Sequence, residues 1–201
     1  MTSLTIRRPL GRTAVRHDPV TIALHWITAF LVLAQFASAH VWDLLEKGTP
    51  LRIDLIMMHL AFGILLAVTM VVRIGWRLLK RDRLPSAVHG LQKLASSAVH
   101  MVLYALLAGQ VAVGLMLSWS TGKPLPFFDL FAIPVPVFID PSFRPLLAAL
   151  HNDIGWGIIA VAGLHAVAAL MHHYAFGDEV LNRMLPGSPK RILGSASGSR
   201  K

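Results

Sequence analysis

Ten histidines stand in a chain of 201 residues that contains no cysteine. Six of them, His25, His59, His100, His151, His165 and His172, fall in or beside long apolar stretches. An ionisable side chain in a membrane interior is costly and is a functional candidate by default. The missing thiols exclude covalent c-type haem at a CxxCH site, cysteine-ligated iron–sulfur clusters and disulfides. Imidazole is therefore the main metal-binding resource, and it also suits proton transfer.

Spacing sorts these histidines. His151 and His165 are fourteen residues apart, almost four whole helical turns, so they share one face about 21 Å apart along the axis. His25 lies about six residues into an apolar run that starts on the inner side, at the level of His165. His59 lies about six residues into the next run, which starts on the outer side, at the level of His151. Depth thus pairs His25 with His165 and His59 with His151. Two facing imidazoles at one level of a helical bundle are what a six-coordinate haem iron requires. Zinc takes three or four ligands at one point, and a proton path needs no matched pairs at both levels. The residue four positions after each of the four is small, Ala29, Gly63, Gly155 and Ala169, which leaves room for a macrocycle, although close helix packing uses small residues too. The expectation is two non-covalent b haems, the inner iron on His25 and His165 and the outer on His59 and His151. The rival reading is a haem-free, histidine-lined proton or metal transporter.

Three further residues are candidate contacts to a haem propionate or a quinone. Arg73 repeats the face of His59 fourteen residues on, at the inner level, where it could also snorkel to the interface. His100 lies on the inner half of the third run, and His172 lies seven residues beyond His165, nearer the inner headgroups. His173 points elsewhere, and His17, His40 and His89 lie at span ends or in loops.

The elements that position these groups follow from composition. The chain is 55% hydrophobic and 14% charged, with a mean hydropathy of +0.60, where a soluble domain carries about 25% charged residues. Four stretches, about 20–41, 53–78, 91–119 and 145–176, are long enough to cross a bilayer. The fold class expected is an all-α, integral membrane four-helix bundle over 19–178, between an N-terminal segment 1–18 and a partly disordered tail 179–201. The net charge of +9 does not indicate nucleic-acid binding, because the cations cluster in loops. Arg7, Arg8, Arg12 and Arg16 precede the first span, Arg77, Lys80, Arg81, Arg83 and Lys93 follow the second, and Arg183, Lys190 and Arg191 follow the fourth. By the positive-inside rule both termini are cytoplasmic. The N-terminal segment lacks the apolar core of a cleaved signal peptide. The opposite loops are neutral to acidic, with Asp43, Glu46, Asp54, Asp129, Asp140 and Asp153 outnumbering Lys47, Arg52, Lys123 and Arg144. The long Pro- and Phe-rich loop from Thr121 to Arg144 is expected to lie among the outer headgroups or to form a lid over an outer site.

The motifs LHW, MMHLAFG, HGLQKLASSAVHMVLYALL and WGIIAVAGLHAVAALMHHY, with the DEVLNRMLP ending, resemble the bacterial cytochrome b561 family from about Arg16 to Pro186. The resemblance implies four helices, two b haems and bis-histidine ligands at His25, His59, His151 and His165. It also implies a bacterial inner-membrane location and exchange of electrons with a membrane quinone such as ubiquinone. One member type oxidises superoxide at the outer face and reduces ubiquinone; related proteins are membrane anchors that accept electrons from a peripheral hydrogenase or dehydrogenase subunit. The expected activity is thus that of a quinone-linked oxidoreductase. An outer cation among Lys47, Arg52, Lys123 and Arg144 would then draw superoxide in, unless these are simply solvated. The quinone site is expected on the inner half, where Arg73, His100 and His172 gather.

Overall fold

The computed structural model describes residues 16–80, 90–128, 130–178 and 180–187. Arg7, Arg8, Arg12, Arg81, Arg83, His89, Asp129, Lys190 and Arg191, and most of the proposed tail, lie outside the described residues. Four long helices carry the fold: α1 (Pro19–Asp43), α2 (Pro50–Leu79), α3 (Gly90–Trp119) and α4 (Arg144–Tyr174). Each has 25 residues or more, where about 20 suffice to cross the hydrocarbon layer. All four are long and apolar enough to span a membrane, and their large apolar side chains point outward in numbers no aqueous surface tolerates, among them Phe30, Leu33, Val71 and Leu164. The protein is a helical membrane bundle.

The helices begin where the sequence offers a start. Proline stands in the first turn of α1, α2 and α4, where its missing N–H costs nothing. Asp18 caps α1 by accepting from the Thr21 N–H at 3.0 Å. The same carboxylate accepts from Trp76 Nε1 at 3.1 Å and pairs with Lys80 at the end of α2. One side chain thus fastens the start of α1 to the end of α2. At the opposite end Arg52 donates to the carbonyls of Trp42 and Leu45 and lies 3.8 Å from Asp43. It thereby ties the start of α2 to the last turn of α1 and to the turn that follows it.

Packing is in pairs. Helix α1 lies along α2, α3 lies along α4, and α2 meets α3 over a shorter stretch. The buried core consists of Leu31, Leu66, Met70, Leu107 and Ile158. It forms a layer at mid-depth: Leu66 stands seven residues after His59, and Ile158 stands seven from both His151 and His165. The loop after α3 departs from the all-α expectation. It contains an antiparallel hairpin of β1 (Leu125–Phe127) and β2 (Phe131–Ile133), with Phe127 stacked on Phe131 at 4.9 Å and Phe128 in a left-handed conformation at φ 43°. The hairpin packs against α2, and Phe128 meets Phe62 edge-on at 6.1 Å. Alternating Pro and Phe suit a short, aromatic-pinned ribbon better than a helix.

Burial alone would raise the Asp18 carboxyl, but hydrogen bonds from Lys80, Thr21 and Trp76 outweigh it and hold it well below the usual carboxylate range. Its contribution is therefore complete above the ordinary value of 3.8 and decays only at more acid pH. Asp18→Ala is expected to lower the thermal unfolding midpoint at pH 7 by the equivalent of about 1–2 kcal/mol, the usual worth of a lost cap. Asp18→Asn, which can still cap, should lower it by less.

Candidate cofactor-binding site

The helical starts fix the depth of every histidine. His25 sits in the second turn of α1 and His165 near the end of α4; their ring centres lie 6.4 Å apart with planes at 71°. His59 in α2 and His151 in α4 approach to 6.1 Å, again at 71°. A metal–imidazole bond is about 2 Å long, so two rings on opposite sides of one ion stand roughly 6 Å apart, centre to centre. Both pairs meet that spacing. The helices that carry them are not otherwise closely packed, since α4 lies along α3 rather than along α1 or α2.

His59 is held in a tautomer suited to ligation. Its Nδ1 faces the Gln35 carbonyl and the Ser38 hydroxyl, each at 3.2 Å. Donation to the carbonyl places the proton on Nδ1 and leaves Nε2 with a free lone pair, the usual arrangement behind a metal-bound histidine. Trp42 lies edge-on to His59 at 4.9 Å, as Trp26 does to His25 at 5.5 Å. Gln110 Nε2 lies 3.3 Å from His151 Nε2. Gln35 Oε1, Gln110 Oε1 and His151 Nδ1 are buried without a hydrogen-bond partner. Unsatisfied buried polar atoms are rare in proteins and mark strained or functional positions.

The glycines next to the outer pair act through what they lack. A Cβ on Gly63 would stand 3.2 Å from Gln35 Nε2, and one on Gly155 would stand 3.4 Å from Gln110 Nε2. Gly114 on α3 is tighter: a Cβ there would meet His151 Cε1 at 2.9 Å. The His151 ring therefore rests directly against the α3 backbone.

At the inner level Arg73 points a guanidinium nitrogen at His25 Nδ1, 3.4 Å away. His100 stands 5.2 Å from His165, centre to centre, with its Nδ1 on the Ser96 carbonyl at 2.6 Å. That separation is shorter than an ion between two rings needs, so His25 rather than His100 has the spacing to share a metal with His165. His172 is brought beside Asp178, with which it pairs, and Phe176. His40 bonds the Phe36 carbonyl at 2.8 Å. Among the outer cations Arg52 is occupied with helix carbonyls, whereas Lys47, Lys123 and Arg144 are exposed. Gln35, Gln110, Gly114 and Tyr104 join the site only in the tertiary structure. The two glutamines carry a faint signal, as lone amides deep in apolar spans; the glycine and tyrosine carry none.

The donor set suits a haem. Each level offers two opposed imidazoles at the required spacing, and small residues border the outer pair. Among the described residues no group of three or more His, Cys, Asp or Glu side chains could hold a metal ion, which is what zinc would demand. Membrane-length helices with opposed imidazoles inside define the class of membrane b-type cytochromes. In agreement, residues 16–187 match the family model described as prokaryotic cytochrome b561, and the chain belongs to that family. It is 29% identical over 174 residues to cytochrome b561 homolog 2 of Escherichia coli (strain K12), covering 86% of this chain and 93% of that protein. Cytochrome b561 homolog 1 of the same organism is 30% identical over 179 residues, 85% of this chain and 97% of that protein. "Probable superoxide oxidase CybB" of Yersinia pestis is 26% identical over 174 residues, 85% of this chain and 96% of that protein. The chain is thus a multi-pass membrane cytochrome that binds b-type haem and transfers electrons.

Gly114→Val is expected to push His151 off its seat and lower the haem content of the purified protein. Gly157→Ala, whose added Cβ would meet Leu106 only at an ordinary 4.0 Å, should leave it unchanged. Pyridine haemochrome titration per chain distinguishes the two.

Proposed function

We propose that this chain carries electrons across the bacterial inner membrane through two b haems and exchanges them with a membrane quinone. In this reading His25 and His165 hold the inner iron, His59 and His151 hold the outer, and both termini are cytoplasmic. The observation that carries it is the near-identical spacing of the two imidazole pairs, 6.4 and 6.1 Å, at levels fourteen residues apart on α4.

A b haem bound at each level supplies a one-electron carrier. The protein's own part is to bind, orient and insulate. The Gln35 carbonyl fixes the His59 tautomer, Gly114 seats His151, and the core layer of Leu66, Leu107 and Ile158 keeps water out between the levels. Arg73 is placed to meet a propionate at the inner level, and His100 to meet a propionate or a quinone carbonyl. An apolar groove of about 490 Å³ between α1 and α2, lined by Trp26, Phe30, Phe62, Leu65 and Thr69 among others, adjoins His25 through Trp26. Its Trp26 end supports ubiquinone entry from the lipid on the inner half, while Phe62 carries the groove toward the outer level.

The Yersinia relative named as a superoxide oxidase supports superoxide as the outer electron donor. Lys47, Lys123 and Arg144 are the exposed cations there that could attract the anion. The competing reading, an anchor that takes electrons from a peripheral subunit, predicts no reduction by superoxide.

The first experiment is a reduced-minus-oxidised spectrum with haem counted per chain. Two low-spin b haems are expected, and a colourless preparation after adequate haem supply would sink the proposal. His151→Ala and His165→Ala should each retain about one haem of the two, whereas His100→Ala should retain both. Flash-generated superoxide should reduce the purified protein, more slowly in high salt and in Lys123→Gln combined with Arg144→Gln. Reduction at an unchanged rate in that double variant would remove the steering role.

A further inference from the structure

Two guanidiniums on α2 share one ring of α3. Arg73 Cζ lies 5.3 Å from the centre of Tyr104, and Arg77 Cζ lies 5.6 Å from it. The arginines are one turn apart on the same helix face, where like charges repel. The two inner carboxylates among the described residues are engaged elsewhere, Asp18 with Lys80 and Asp178 with His172. No ion pair at Arg73 or Arg77 occurs among the described residues. Two cations held together at the edge of the apolar layer, one of them half-buried, call for an anion, and a pair of planar guanidiniums suits a carboxylate or phosphate, which each can grip through two N–H groups.

Tyr104 itself is partly buried and packed against the core cluster, so its ring is a fixed platform rather than a loose neighbour. Arg73 also reaches His25 Nδ1 at 3.4 Å, and His25, His100 and His165 all lie within its electrostatic range. The pair of cations therefore runs from the inner imidazoles toward the inner surface.

We infer that Arg73 and Arg77, set by Tyr104, form a two-guanidinium site for a carboxylate of the group held between His25 and His165. Tyr104 is a positioning residue: its ring aims the guanidiniums by cation–π attraction, and its packing keeps them there. This inference rests on the proposed function. Its consequence is electrostatic. Positive charge beside the inner iron favours the reduced state, and neutralising the bound carboxylate removes a charge that would favour the oxidised one. Losing either guanidinium should therefore lower the inner potential and leave the outer one alone. The same site could instead take the phosphate of an anionic lipid, since Arg77 is exposed.

The test is potentiometric titration of the purified, haem-loaded protein, with two one-electron components resolved and lipid phosphorus counted per chain. Arg77→Gln and Tyr104→Leu are expected to shift one component downward by tenfold or more in its reduction equilibrium, about 59 mV for one electron. Tyr104→Phe keeps the ring and should match the parent, and the second component should stay fixed throughout. Unchanged potentials in both Arg77→Gln and Tyr104→Leu would overturn the inference. If they are joined by a loss of bound phosphorus, the site belongs to a lipid headgroup. A parent protein without two b haems would instead overturn the proposed function, so the two failures are distinct.

Discussion

A polar group inside a bilayer has no water to fall back on, and that constraint organises this protein. Every imidazole at membrane depth needs a partner that the chain or a bound group supplies. The four helices answer it in two ways. His100 and His40 turn Nδ1 onto a carbonyl one turn back on their own helix, which is a local remedy. His59 uses a carbonyl of a neighbouring helix, which leaves Nε2 without a proton, a remedy with chemistry left over. The difference sets His59 apart from His100 and His40, whose needs are met within their own helices.

Membrane burial also changes what holds the bundle together. Lipid is as apolar as leucine, so apolar side chains gain little by leaving it, and packing with polar ties must do more. The ties here sit at the helix ends. Asp18 joins α1 to α2 at one face and Arg52 joins them at the other. Trp26 Nε1 donates to the Met184 carbonyl at 2.7 Å, and the His17 N–H donates to the Arg183 carbonyl at 3.2 Å. The segment after α4 is thereby fastened to the start of α1. Between these ties the middle of the bundle is a thin layer of well-buried residues, and the two imidazole levels lie on either side of it.

Charge is distributed to match. The inner half carries Arg73 and Arg77 over Tyr104, close to the His25–His165 pair. The outer half offers amides rather than cations at the corresponding depth, with Gln35 and Gln110 beside His59 and His151. A redox group at the inner level would sit in a more positive field than one at the outer level. In the function we propose, that asymmetry would favour electrons at the His25–His165 level, the side on which we place the quinone.

Much was legible from residue order alone, because a helix converts sequence separation into depth at a fixed rise per residue. Membrane length, the number of helices and the levels of His25, His59, His151 and His165 follow from that rule and the apolar runs. What the sequence by itself could not determine is which side chains meet across helices, because lateral contact depends on rotation and tilt rather than on depth. Only the tertiary structure placed Gly114 under His151, drew Arg52 to the carbonyls of Trp42 and Leu45 at the end of α1 instead of leaving it free, and turned His172 to Asp178. The hairpin in the outer loop escaped the sequence for a related reason. It is three residues a strand, held by aromatic stacking and by α2, and so short a ribbon has no period of its own to read.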